Sequence, residues 1–303
     1  MSLRSKFWFK WQRARASLDD ALDSFRKKEA SGQRMCPNCR ALIGRDVSPC
    51  PLCGESIRSP RSQARIAGGL LPVPSTASSA IVAATIALYA FSLYLTQKSA
   101  DPSEIGGLGQ IDGRVLFRLG AKFGPLIWAG EWWRLVTPIF LHAGLLHIGM
   151  NLWCLFDLGP RVESMFSTSK FIVFYLLTGV IGFAFSLIWS PYGSSIGASG
   201  SVLGLIGVLL GATFHQGTLG REYRSQLWRW LILIAVLGAF SATDNAAHLG
   251  GLVSGAALGY LVPEGEPETR ATENAWNILA MICIMVIAAS FALMALQMNR
   301  PLG

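Results

Sequence analysis

Ser199 stands in SSIGASGSVLGLIG (194–207), inside fifty residues, Phe171 to Gly220, that contain no Lys, Arg, Asp or Glu. Its neighbours are small, Gly197 and Ala198 before it and Gly200 after it, so the hydroxyl is left open to an electrophile. A serine Oγ is a weak nucleophile until a base takes its proton, and neutral imidazole suits that task near pH 7. His248, in AHLGGLVSG (247–255), is the base this reading selects. The tetrahedral oxyanion formed by the attack needs preorganised donors. His147 and Asn151, four apart in HAGLLHIGMN (142–151), face one side of a helix and supply two of them. The Ser199 backbone N–H at a helix start is a third. The implied chemistry is acyl transfer through a Ser199–His248 dyad. No acid is well placed to complete a triad: Asp244, one turn before His248, reads as an interface residue, and so does His142.

A second cluster has a different chemistry. CPNC (36–39) and CPLC (50–53) give C-x2-C-x10-C-x2-C, two turns that can bring Cys36, Cys39, Cys50 and Cys53 onto one tetrahedral zinc. Redox dithiols are the other use of such pairs, but four cysteines within 18 residues, in a reducing compartment, favour the metal. A segment this short has little core, so zinc would supply most of its folding energy. Cys154 and Cys283 fall in apolar runs and read as packing residues.

The elements that must position the dyad are built for lipid. The chain is 51% hydrophobic and 15% charged, against roughly 25% charged in soluble domains. Apolar windows lie at 76–95, 171–190, 194–214, 230–243, 245–263 and 274–298. A further stretch, 143–160, is interrupted only by His147, Asn151 and Asp157. Most approach the roughly 20 residues that cross a bilayer, which predicts an all-α polytopic membrane protein of seven spans and excludes a soluble enzyme. Polar groups inside spans are costly and mark function. Spans 2, 4 and 6 begin at one face, so His147, Asn151, Ser199 and His248 share one layer. Gly200, Gly204, Gly207 and Gly211 stripe span 4, and Gly251, Gly255 and Gly259 stripe span 6. Small-residue faces let membrane helices approach closely, and these two stripes would bring hydroxyl and imidazole together.

Charge sets the orientation. Residues 1–70 carry 14 Lys/Arg and 6 Asp/Glu, whereas the remainder carries 12 of each. The positive-inside rule then puts the N-terminus in the cytoplasm and, after seven spans, the C-terminus outside. No cleavable signal is expected, because no short apolar core opens the chain. Residues 1–33 form a basic, aromatic segment (KFWFKWQRAR, then a helix start at Ser17 and Asp20). Two readings stay open for it: a helix on the anionic inner leaflet, or one packed on the zinc module. Nucleic acid is not an expected partner. The zinc-ribbon-like module spans 34–56, a Ser/Arg/Pro/Gly-rich linker 57–75, the six-span core 76–263 and an additional C-terminal span 274–298. Inverted repeats and midplane charges, the marks of a transporter, are not apparent.

In order and spacing, WWR (132–134), HAGLLHIGMN with its H-x-x-x-N, GASG (197–200) and AHLGGLVSG resemble the rhomboid family of intramembrane serine proteases over roughly residues 75–263. The resemblance implies a helical bundle of six spans plus one, with Ser199 as nucleophile, His248 as base and His147 and Asn151 as oxyanion donors. It also implies a first loop half-buried in the outer leaflet, and no cofactor for catalysis. Its expected partners are transmembrane protein substrates, entering sideways from the bilayer, and a cytoplasmic partner for the zinc module. The expected location is the bacterial inner membrane. Family members that only bind or escort membrane clients lose the catalytic Ser or His, and this chain keeps both. One departure stands out: the fourth residue after the nucleophile, often a Tyr that supports the histidine, is Leu203. The breaker-rich SPYGSSIGA (190–198) suggests that span 4 starts low, so that Ser199 sits at the bottom of a wet pit.

Overall fold

The structure, a computed structural model, describes residues 33–36, 41–44, 47, 50–53, 76–99, 109–239, 243–265, 267 and 269–298. The basic segment (residues 1–32), Cys39 and the linker lie outside the described residues. The chain divides into two units, Met1–Leu71 and Pro72–Gly303. In the first, β1 (Gln33–Met35) pairs antiparallel with β2 (Leu42–Gly44), Met35 opposite Leu42. The Cys36 N–H closes the connection on the Ala41 carbonyl at 2.8 Å, and Cys36, Ile43 and Cys50 form a small buried cluster.

The second unit is helical. α1 (Thr76–Ser99) leads to a long loop holding two short helices, α2 (Gly113–Arg118) and α3 (Gly124–Trp128), and two 3-10 turns at 132–135 and 137–140. Then come α4 (Leu145–Phe166), α5 (Thr168–Trp189), α6 (Ser199–Ala212), α7 (Gly217–Ala239), α8 (Asn245–Leu261) and α9 (Arg270–Gln297). Among the described residues, α1, α5 and α9 are long and apolar enough to cross a membrane on length and composition alone. The helical bundle matches the predicted fold class, and among the described residues each of the seven expected spans overlaps one helix.

Two boundaries differ for a physical reason. α7 begins at Gly217, well before the apolar window at 230, because Arg221, Arg224 and Arg229 belong to its first turns. α4 likewise runs on to Phe166 through Asp157, Arg161 and Glu163, with Asp157 and Arg161 paired at 2.6 Å along the helix. Hydropathy windows end at such charges, but the backbone hydrogen-bond ladder does not.

α6 is the axis of the bundle. Every residue from Gly200 to Ala212 is buried, as expected of a helix that is apolar all round. α8, α5 and α4 pack around it. With 14 residues at about 1.5 Å each, α6 covers only about 21 Å of a hydrocarbon core about 30 Å thick.

The glycine stripes meet as expected, and more closely than side chains permit. A Cβ on Gly251 would fall inside the Gly200 carbonyl oxygen, one on Gly255 inside that of Gly204, and one on Gly259 inside that of Val208. In the other direction, Gly207 faces the Leu252 carbonyl and Gly211 that of Ala256. Buried ionic groups secure the periphery. Glu163, 7% exposed, accepts from the Ala77 and Ser78 N–H groups at the start of α1 (3.3 and 3.2 Å) and from the Thr168 hydroxyl (2.9 Å). Arg134 organises the first loop, donating to the Phe117 and Ala121 carbonyls (both 2.9 Å) and to Glu131.

Gly255→Ala should lower the thermal unfolding midpoint in detergent by several degrees, since overpacking costs ~1–3 kcal/mol and each kcal/mol moves a domain of this size by roughly 2–4 °C. Gly149→Ala on α4, where a Cβ would meet open space, is the control and should unfold with wild type. Equal midpoints for all three proteins would contradict the close α6–α8 contact.

Candidate active site

The site is assembled by a turn and two helix starts. Gly197 has φ +124°, a left-handed conformation that side chains disfavour, and its N–H is held by the Pro138 carbonyl at 2.8 Å. That turn ends the extended stretch and makes Ser199 the first residue of α6. A Cβ at position 197 would also lie 2.7 Å from His147 Nε2 and 3.7 Å from Ser199 Oγ. Glycine is therefore required twice, for conformation and for the approach of the imidazole.

His248 lies in the first turn of α8. Asp244 caps this helix, its carboxylate accepting from the Ala247 N–H at 3.0 Å and its carbonyl from the His248 N–H at 3.0 Å. The close α6–α8 contact then sets His248 Nε2 at 2.8 Å from Ser199 Oγ. Both side chains are half-buried. With Oγ–H donating to it, Nε2 carries the lone pair, which is the arrangement a general base requires.

His147 is in the first turn of α4. The Ala143 N–H donates to its Nδ1 at 3.4 Å, which puts the ring proton on Nε2, the nitrogen beside Gly197. Asn151, one turn on and 7% exposed, donates one amide hydrogen to the His147 carbonyl at 2.8 Å. The second remains for a ligand. The Ser199 N–H belongs to the first turn of α6, where helix N–H groups have no intrahelical acceptor. The four residues singled out in the sequence thus lie at one end of three neighbouring helices.

His142 was expected at an interface, and the structure corrects this. It is 1% exposed, with Nδ1 3.3 Å from the Phe140 carbonyl and its ring edge-on to His147 at 4.9 Å between centroids. The spacing of five between the two histidines gave no helical face to read, because Leu141 and Gly144 are extended and the helix begins only at Leu145. Cys154 and Cys283 pack against the core, as read.

Comparison with known proteins follows the same residues. The family model for the rhomboid domain matches residues 129–265, which hold all four. The Bacillus subtilis rhomboid YdcA is 37% identical over 135 residues, covering 44% of this chain and 68% of its own. The chain belongs to the rhomboid family. Among other relatives, rhomboid protease GluP of Bacillus subtilis is 38% identical over 197 residues (62% of this chain, 36% of GluP). Rhomboid-like protease 3 of Toxoplasma gondii is 33% identical over 183 residues (59% of this chain, 66% of its own). The chain thus spans about a third of GluP and just under two thirds of the Toxoplasma protein. As a member of the rhomboid family, the protein is an integral membrane protein.

A fluorophosphonate should phosphonylate wild-type protein at Ser199 and leave Ser199→Ala unmodified. In His248→Ala the labelling rate should fall by about 10²-fold or more, the usual contribution of a positioned base. Equal labelling of wild type and His248→Ala would show that the 2.8 Å contact does not activate the hydroxyl.

Proposed function

We propose that this chain is an intramembrane serine endopeptidase that cleaves peptide bonds in or near transmembrane segments of membrane proteins. The Ser199–His248 contact at 2.8 Å, in a rhomboid domain, carries the reading. Ser199 Oγ attacks the scissile carbonyl carbon while His248 Nε2 takes its proton. The resulting oxyanion accepts from the Ser199 N–H and from His147 Nε2–H and the Asn151 amide. The imidazolium then protonates the leaving amine, and the peptide bond breaks. Water, activated by the same imidazole, releases the acyl group from Ser199. Substrate enters sideways between helices, and local unwinding by small or helix-breaking residues presents an extended bond to the dyad. The basic N-terminal segment is consistent with a cytoplasmic N-terminus in a bacterial inner membrane, with the site opening to the opposite side.

Incubation of detergent-purified protein with a panel of single-span substrates tests this directly. Ser199→Ala and His248→Ala should abolish cleavage in folded protein, and cleavage retained by Ser199→Ala would overturn the assignment. His147→Ala and Asn151→Ala should each lower kcat by about 10²-fold or less, because the remaining donors persist. A loss confined to KM would make these two substrate-binding groups.

The N-terminal unit is read as a structural zinc module. Cys36, Cys50 and Cys53 bring three sulfur atoms within 4.8 Å of one another, and Cys36 Sγ lies 3.6 Å from Cys53 Sγ. A tetrahedral Zn–S4 centre with bonds of about 2.3 Å has S···S edges of about 3.8 Å, so these thiol donors fit the ion. Cys39 would be the fourth ligand. Purified protein should carry about one zinc equivalent, and Cys36→Ser/Cys50→Ser should remove it and open residues around 34–56 to protease. Apolar spans insert independently of this unit, so detergent activity should persist. A metal-free wild-type protein whose four thiols titrate freely would contradict the assignment.

A further inference from the structure

Lys122, in the first loop, is fully buried. Its ammonium donates to the carbonyl oxygens of Ser186 (3.1 Å), Ser190 (2.5 Å) and Gly193 (3.1 Å). Ser186 lies in the last turn of α5, its carbonyl also accepting from the Ser190 N–H at 2.8 Å, and Ser190 is the C-cap, where the negative end of the helix dipole collects. The lysine backbone also pairs with Ser195 in both directions (2.9 and 3.2 Å). One residue thus grips, through side chain and backbone, the 190–198 segment that ends in the Gly197 turn and Ser199.

The network continues to the base. The Ser186 hydroxyl, 1% exposed, donates to one carboxylate oxygen of Asp244. The other oxygen caps α8 at the Ala247 N–H (3.0 Å), and Asp244 interacts electrostatically with Lys122. The Asp244 carbonyl receives the His248 N–H (3.0 Å). Ser186 is therefore shared, its carbonyl facing the lysine and its hydroxyl facing the aspartate. The segment that delivers the nucleophile and the turn that delivers the base are tied to one buried ammonium.

We infer that Lys122, Ser186 and Asp244 form a positioning network that sets His248 against Ser199, taking the role an orienting third residue plays in a triad. The inference rests on the dyad reading of Proposed function. Position 203 is a buried leucine and offers the imidazole no polar group. Asp244 acts on His248 through the helix start that carries it, and the network links that start to the loop across the site.

Two substitutions isolate the network without removing structure. Ser186→Ala deletes the hydroxyl and leaves the carbonyl that Lys122 uses. Asp244→Asn keeps an N-cap of equal rank and removes the charge. Full-length protein in detergent is assayed for cleavage of a single-span substrate, for the second-order rate of fluorophosphonate labelling at Ser199, and for its unfolding midpoint. Lys122→Met and Ser199→Ala run alongside. The network predicts that kcat and labelling rate fall together by about tenfold or more in each variant, as expected of a small misplacement at the dyad. KM should stay within about twofold. The double variant should be no worse than the weaker single, since both cut one chain of contacts. Wild-type kcat and labelling in folded Ser186→Ala and Asp244→Asn, losses that only track the unfolding midpoint, or a change in KM alone would each overturn the inference. With Ser199→Ala inert, such results leave the dyad standing. Cleavage retained by Ser199→Ala would remove the dyad and the network together.

Discussion

The close approach of backbone against backbone between α6 and α8 is the constraint on which the rest depends. Gly251, Gly255 and Gly259 lie where a Cβ would enter the carbonyl oxygens of Gly200, Gly204 and Val208. In lipid no hydrophobic force drives helices together, so close packing must supply the attraction, and small residues supply the closeness. Ser199 opens one of these helices and His248 lies in the first turn of the other. Their 2.8 Å contact therefore follows from the helix spacing more than from any side-chain partner. A hydrogen bond is sensitive to tenths of an ångström, and two rigid helices in van der Waals contact are a precise way to set one.

Around that axis, three of the described buried charges, Glu163, Lys170 and Lys122, reach groups at or just beyond the oppositely signed end of another helix, while Arg134 pairs with Glu131. Glu163 meets the N–H groups that open α1 and the Thr168 hydroxyl at the start of α5. Lys170 donates to the Pro263 and Gly265 carbonyls just beyond α8 (both 2.9 Å), and Lys122 to the carbonyls that close α5. Helix termini carry partial charges and orphan hydrogen-bonding groups, and water is scarce to satisfy them at membrane depth. A charged side chain there satisfies the helix end and is itself satisfied. Such groups cost more to bury alone than in pairs with a carboxylate or a ring of carbonyls. Their presence marks where chain direction must be fixed, beside the first loop and at the junction of α4 with α5.

Much of this was legible in the sequence because it is written in types and spacings. Glycine at 4-3-4 and repeated four-residue intervals identified the facing surfaces of α6 and α8, and the H-x-x-x-N pair declared one helical face. The bundle and the convergence of Ser199, His248, His147 and Asn151 follow from those two facts and shared depth. What was not legible depends on irregular backbone. His142 lies in an extended stretch before α4, so no periodicity relates it to His147. Lys122 lies in the long loop, where a lone lysine looks like any surface charge until the end of α5 is seen to close over it. The early start of α7 was hidden by arginines that end a hydropathy window without ending a helix.

A dyad in place of a triad, the mechanism proposed above, has its own logic in this setting. A carboxylate against the imidazole would strengthen the base, but here it would sit among apolar residues, and removing an ion from water costs several kcal/mol unless its contacts are near ideal. Asp244 stands instead at the N-terminus of α8, where the helix dipole and the Ala247 N–H support its charge without a place in the site. The imidazole can then pass from neutral to cationic and back with no described carboxylate hydrogen-bonded to its ring. Its orientation must come from the backbone that carries it. That requirement returns to the glycines: the histidine is only as well placed as the helix beneath it, and that helix is placed by contacts to Gly200 and Gly204 that leave no room for a single methyl group.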